Sequence, residues 1–117
     1  MPVTTIYHNP RCSKSRQTLQ ILNDNGVEPE VVLYLEQTPS ANELVAILEK
    51  LGMTARQLLR KGEEAYKVNN LADTSLSDSE IIALMVRFPK LIERPIVVVA
   101  NKAKIGRPPE SVLELIA

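Results

Sequence analysis

The sequence predicts an α/β fold: a four-stranded mixed sheet with flanking helices and a helical insertion over about residues 40–88. Three observations lead there. The first 34 residues read as strand, helix, strand. Three helix-start signals cluster in the middle of the chain, and its most β-prone run, Ile96-Val97-Val98-Val99, comes late. At 117 residues the chain has the size of one domain, with room for a single core.

Thr4-Thr5-Ile6-Tyr7 reads as a short strand, followed by the turn-forming His8-Asn9-Pro10. A helix then runs from about Ser13 to Asn25, with Leu19, Ile21 and Leu22 as its apolar stripe and Gly26 as its stop. Val31-Val32-Leu33-Tyr34 is apolar without alternation, the pattern of a strand covered on both faces. Strand, helix, strand in this compass is a βαβ unit, so the two strands should be parallel, with a right-handed crossover.

In the insertion, Ser40-Ala41-Asn42-Glu43 has the form of a capping box, in which a hydroxyl and a carboxylate reciprocally satisfy amides of the first turn. Leu44, Val45, Ile47, Leu48 and Leu51 then share one helical face before Gly52. Thr54-Ala55-Arg56-Gln57 opens a short helix with Leu58 and Leu59. Ser77-Asp78-Ser79-Glu80 opens another, with Ile81, Ile82, Leu84, Met85 and Phe88 facing inward and Pro89 ending it. Arg56 and Arg87 lie on these helices, and the sequence gives them no role.

After the Ile96 run, Ala103-Lys104-Ile105 follows a tight Asn101-Lys102 connection, which predicts an antiparallel hairpin. Pro108-Pro109-Glu110 opens a last helix carrying Val112, Leu113 and Ile116. This order is that of a thioredoxin-like domain, expected to include all of residues 1–117.

Composition excludes several functions. The hydrophobic fraction is 44%, ordinary for a folded protein, while aromatics are only 3%, so the core must be aliphatic. The formal net charge of zero argues against binding nucleic acid or an anionic membrane, which needs a basic excess. One cysteine cannot form an internal disulfide, and one His with one Cys is too few soft ligands for a structural zinc site. The N-terminal Met1-Pro2-Val3-Thr4-Thr5 has no signal-peptide pattern, and no apolar run approaches the roughly 20 residues that cross a bilayer. The expectation is a soluble cytoplasmic protein.

Chemistry concentrates at Cys12, the junction of the first strand and first helix. Helix N-termini present unpaired amides and the positive end of the dipole, which favour an anion. A free thiol, with a pKa of about 8.5, is only about 3% ionised at pH 7, and such surroundings lower its pKa. His8, Arg11, Lys14 and Arg16 flank Cys12, with no acid before Asp24. A lone cysteine is often an inert core residue; the polar, turn-forming flanks here argue for a reactive one. A phosphatase loop would need an arginine where Thr18 stands, and a dithiol site a second cysteine where Ser15 stands. An adduct on Cys12 must therefore be resolved by a thiol from outside the chain.

Tyr7-His8-Asn9-Pro10-Arg11-Cys12-Ser13-Lys14-Ser15-Arg16 closely resembles the active-site loop of the glutathione- and glutaredoxin-coupled arsenate reductase family. Leu33-Tyr34-Leu35-Glu36, Leu58-Leu59-Arg60-Lys61, Arg94-Pro95-Ile96-Val97 and Ile105-Gly106-Arg107-Pro108 resemble its further blocks, in order. The resemblance implies Cys12 as nucleophile, with His8 and Ser15 helping to keep it ionised. It implies Arg60, Arg94 and Arg107 as the arginines that hold arsenate, an oxyanion matched by bidentate guanidinium forks. It also implies a cis peptide at Pro95, beside the cysteine. Glutathione would serve as co-substrate and glutaredoxin as partner, with no metal or bound cofactor. Two alternatives remain: a thiol reductase with another substrate, or a redox-responsive regulator that binds RNA polymerase. The second branch typically senses through Cys-x-x-Cys, against which Ser15 stands.

Overall fold

A computed structural model describes residues 3–116. In chain order its elements are β1 (Thr4–Tyr7), α1 (Ser13–Asp24), β2 (Glu30–Val32), α2 (Ala41–Leu51), α3 (Ala55–Leu58), α4 (Glu64–Val68) and α5 (Asp78–Arg87). A 3-10 turn at Pro89–Leu91 follows, then β3 (Ile96–Val99), β4 (Lys102–Ile105), a 3-10 turn at Pro109–Val112 and α6 (Leu113–Ile116). These elements form two compact units. One comprises the residues up to Gln37 and those from Arg94 onward; the other is Thr38–Glu93.

The first unit is a four-stranded mixed sheet in the order β2-β1-β3-β4. β1 pairs parallel with β2 and antiparallel with β3, and β3 and β4 form the hairpin. β3 is an inner strand, with Ile96, Val97 and Val98 buried. The same continuous apolar pattern misleads at β2. That strand is an edge and ends at Val32, with Val31 41% exposed and Tyr34 already in the following turn. Sequence runs do not distinguish an edge from a centre, because the partners that cover a strand lie elsewhere in the chain. On the opposite edge, β4 alternates, with Lys102 and Lys104 outward and Ala103 buried. The hairpin turns at Ala100, whose φ is +54°, so β4 begins at Lys102, one residue before its predicted start.

The core of this unit is Ile6, Leu22, Val97 and Val112, with Leu19, Ile21, Val27, Val99, Leu115 and Ile116 packed around it. α1 ends where Gly26 takes a φ of +77°, conformational space that L side chains rarely enter. The closing helix differs from its predicted form: its first turn, with Pro109 and Val112 buried, is 3-10, and only its last residues are α-helical.

The helical unit is built on three capping boxes, at Ser40, Thr54 and Ser77, each with the hydroxyl and the Glu or Gln three residues later exchanging hydrogen bonds. Leu44, Ile47 and Leu48 of α2, Ala55 and Leu58 of α3, and Ile81, Ile82 and Met85 of α5 are buried. Val45, placed inward by the sequence, is 43% exposed. Leu59 and Ile92 form an isolated bridge. α4 lacks a buried residue and a side-chain cap, so it left no clear mark in the sequence.

Arg56, without a role in the sequence, has one here. It donates from Nη1 to the carbonyl of Leu71 and from Nη2 to that of Asp73, both at 2.7 Å. Two charge-assisted bonds to half-buried carbonyls make Arg56→Ala destabilising by about 2 kcal/mol in urea unfolding. Arg56→Lys should recover only part of this, because an ammonium lacks the planar fork. A loss under about 0.5 kcal/mol, typical of surface changes, would contradict the role.

Candidate functional site

Cys12 is the N-cap residue of α1, with extended backbone angles (φ −94°, ψ 122°). Its N–H donates to the Asn9 carbonyl at 3.0 Å, and its own carbonyl accepts from Arg16 N–H at 3.0 Å, so one residue both closes the loop's turn and starts the helix. The side chain is half-buried. Burial is the largest influence on the thiol and pushes its pKa up. Against it act the Ser15 amide, the Arg94 charge, the Lys14 amide and the Arg107 charge, and together they bring it below its ordinary value. The thiol makes no full capping hydrogen bond, but those amides still favour its anion.

Arg107 reaches the thiol directly: its Nη2 donates to Cys12 Sγ at 3.5 Å, and its Nε donates to the Arg94 carbonyl at 2.8 Å. The second bond fixes the guanidinium plane, so the fork faces the sulfur. Arg94 precedes Pro95 through a cis peptide, and Arg107 precedes Pro108 through another, which the sequence reading had not placed. The structure thus brings Cys12, Arg94 and Arg107 together within the first unit.

Gly106 makes that approach possible. Its N–H donates to the Pro95 carbonyl at 3.0 Å. A Cβ added there would run into Thr18 Oγ1 and stand 2.8 Å from Pro95 Cγ, closer than side-chain atoms pack. Thr18, fully buried in α1, holds its hydroxyl on the Lys14 carbonyl at 2.8 Å. The end of the hairpin therefore rests directly on α1, one residue before the arginine that reaches Cys12. Gly106 and Thr18 escaped the sequence reading. The signal was present, a glycine directly before a site arginine, but only the fold reveals what the glycine touches.

The loop's own charges act differently from their sequence expectation. The side chains of Arg11, Lys14 and Arg16 point to solvent, and Arg16 Nη1 donates to the Pro10 carbonyl at 2.8 Å. Lys14 lowers the thiol through its amide, and the charges that lower it come from Arg94 and Arg107, far away in sequence. His8 is no cation at neutral pH. It is 6% exposed, and burial first, then the Arg16 charge, hold its pKa below the usual histidine value. Its Nδ1 lies 2.6 Å from Ser15 Oγ, and that oxygen also accepts from Asn9 N–H at 3.0 Å. A neutral imidazole with its proton on Nε2 lets the Ser15 hydroxyl donate to Nδ1 while it accepts from Asn9, satisfying this buried group. His8 and Ser15 therefore brace the loop against the first turn of α1.

Arg60 belongs to the helical unit. There its Nη2 pairs with Glu63 Oε1 at 2.9 Å and its Nη1 donates to the Lys90 carbonyl at 3.4 Å. Among the described residues no group of three His, Cys, Asp or Glu side chains could hold a metal ion, and no helix is long and apolar enough to cross a membrane.

A sheet with a lone, cation-faced cysteine at the start of its first helix and a cis-proline segment beside it defines a thioredoxin-like protein with a monothiol site. The chain belongs to the ArsC family, which matches residues 7–115. It is 62% identical over 112 residues to the Escherichia coli K12 protein named "Uncharacterized protein YfgD", covering 95% of this chain and 94% of that one. It is 50% identical to an arsenate reductase of Haemophilus influenzae, covering 95% and 97% of the two chains. The solved structure of an arsenate reductase from Vibrio cholerae superposes with a TM-score of 0.94 at 51% identity, covering 97% of each chain.

Both Arg107→Ala and Gly106→Ala should move the pH profile of Cys12 alkylation by iodoacetamide upward. Loss of a cation that favours the thiolate raises the pKa, so less thiolate is present at any given pH. Gly106→Ala should also cost about 1–3 kcal/mol of stability, as overpacking does. Profiles that coincide with the wild type would contradict this account of the site.

Proposed function

We propose that the protein reduces arsenate to arsenite, with Cys12 as its only catalytic thiol and glutathione and glutaredoxin as the reductants. The observation that carries the reading is the Arg107 guanidinium 3.5 Å from Cys12 Sγ, with the Arg94 charge also acting on the thiol. A thiolate repels an incoming oxyanion, and fixed guanidinium groups offset that repulsion while they gather charge onto the arsenate oxygens. A relative named arsenate reductase at 50% identity supports the choice of oxyanion.

In the first step the Cys12 thiolate attacks arsenic, an S–As bond forms, and an arsenate oxygen leaves as hydroxide or, once protonated, as water. Glutathione thiolate then attacks the Cys12 sulfur. The electron pair of the S–As bond stays with arsenic, which departs as arsenite, and Cys12 is left as a mixed disulfide with glutathione. Two thiols have supplied the two electrons. With Ser15 where a resolving cysteine would stand, the disulfide must be reduced by an outside thiol, the task given to glutaredoxin. Arg60 is assigned to the same anion by family resemblance alone.

Arsenate-dependent NADPH oxidation in the presence of glutathione, glutaredoxin and glutathione reductase tests the reading. The wild type should turn over and Cys12→Ser should not. Arg94→Ala and Arg107→Ala should each lower kcat/KM about a hundredfold, the scale of a lost oxyanion donor. A wild type that is folded, alkylates readily at Cys12 and yet shows no arsenate-dependent turnover would overturn it.

A further inference from the structure

Beside the turn that ends at Cys12 lies a cleft of about 200 Å³. Residues 8–11 form one wall, and Leu33, Leu35 and Glu36 form the other. Both walls are fixed. His8 N–H donates to the Val32 carbonyl at 2.8 Å, tying the loop to the end of β2. The opposite turn is closed by the amides of Glu36 and Gln37 on the Leu33 carbonyl, at 2.9 and 2.7 Å, and Tyr34 within it is 1% exposed. The cleft therefore exists before a ligand arrives.

Its chemistry is particular. Arg11 supplies a cation and Glu36 an anion, and Pro10, Leu33 and Leu35 add apolar lining. Both charged side chains are exposed, and among the described residues neither is held in an ion pair. Whole-ligand pockets usually exceed about 300 Å³, so this one suits a fragment of about one amino-acid residue. An α-amino acid carries an ammonium and a carboxylate on one carbon, which matches two opposite charges lining so small a space. A short methylene chain matches the apolar floor.

We propose that this cleft binds the γ-glutamyl end of the peptide thiol that attacks Cys12, with Arg11 on its α-carboxylate and Glu36 on its ammonium. The inference rests on the external-thiol reading above, and it explains how a chain with one cysteine would select its resolving thiol. Arg11 directly precedes Cys12 in the chain, and the glutathione thiol is covalently remote from its γ-glutamyl charges, so these can be held at the cleft while the sulfur remains unbound by it.

The test needs no arsenate. Cys12 is first converted to its mixed disulfide with 5-thio-2-nitrobenzoate. An attacking thiolate forms a new S–S bond to Cys12 Sγ and expels the coloured aromatic thiolate, the better leaving group. Glutathione and 2-mercaptoethanol are compared at equal thiolate concentration. Glutathione should react faster and saturate, and Glu36→Gln and Arg11→Gln should each slow it about tenfold, the scale of one charge-assisted contact. Neither change should alter the rate with 2-mercaptoethanol. Variants that leave glutathione unaffected, or slow both thiols alike, would overturn the proposal. Arsenate turnover measured separately on the same variants distinguishes a failed cleft from a failed arsenate reading.

Discussion

A half-buried thiol at the first turn of α1 is pulled in two directions, and the rest of the site depends on which wins. Burial disfavours the thiolate; the amides of Ser15 and Lys14 and the guanidinium groups of Arg94 and Arg107 favour it, and the second set prevails. Each contributor needs the sheet. The amides point at the sulfur because the Asn9–Cys12 turn sets where α1 begins. The arginines reach it because β3 and β4 carry the far end of the chain back alongside α1.

Small residues make this convergence possible. At Gly106, Pro95 and Thr18 the hairpin, the cis-proline segment and the helix meet with no space for a Cβ. The Arg107 Nε bond to the Arg94 carbonyl then aims the fork. On the other side of the loop, neutral His8 and fully buried Ser15 brace the turn without contributing charge. Two jobs are thus separated: His8 and Ser15 brace the loop, and Arg94 and Arg107 supply charge from a distance.

Much of this was legible in the sequence, for identifiable reasons. The capping boxes at Ser40, Thr54 and Ser77 are local interactions written within four residues, and all three formed. Cys12, Arg94 and Arg107 were marked by family resemblance, and the cis bond at Pro95 by the expected fold. What failed was non-local. Val31-Val32 read as a covered strand because nothing within the run reveals that β2 is an edge. The basic run around Cys12 suggested that near neighbours in sequence would activate it, whereas the charges that act come from residues more than eighty positions away. Gly106 is informative only beside Thr18 and Pro95.

The central claim is that this setting lowers the pKa of the Cys12 thiol, so that more of it is thiolate at a given pH than in an unstructured chain. Thiolate absorbance titrates it directly, since the chain has one cysteine and the Cys12→Ser protein provides the blank. The account predicts a midpoint below that of a short unstructured peptide carrying the same cysteine. A midpoint equal to the peptide's, or above it, would mean that burial outweighs the amides and arginines, and would contradict the account.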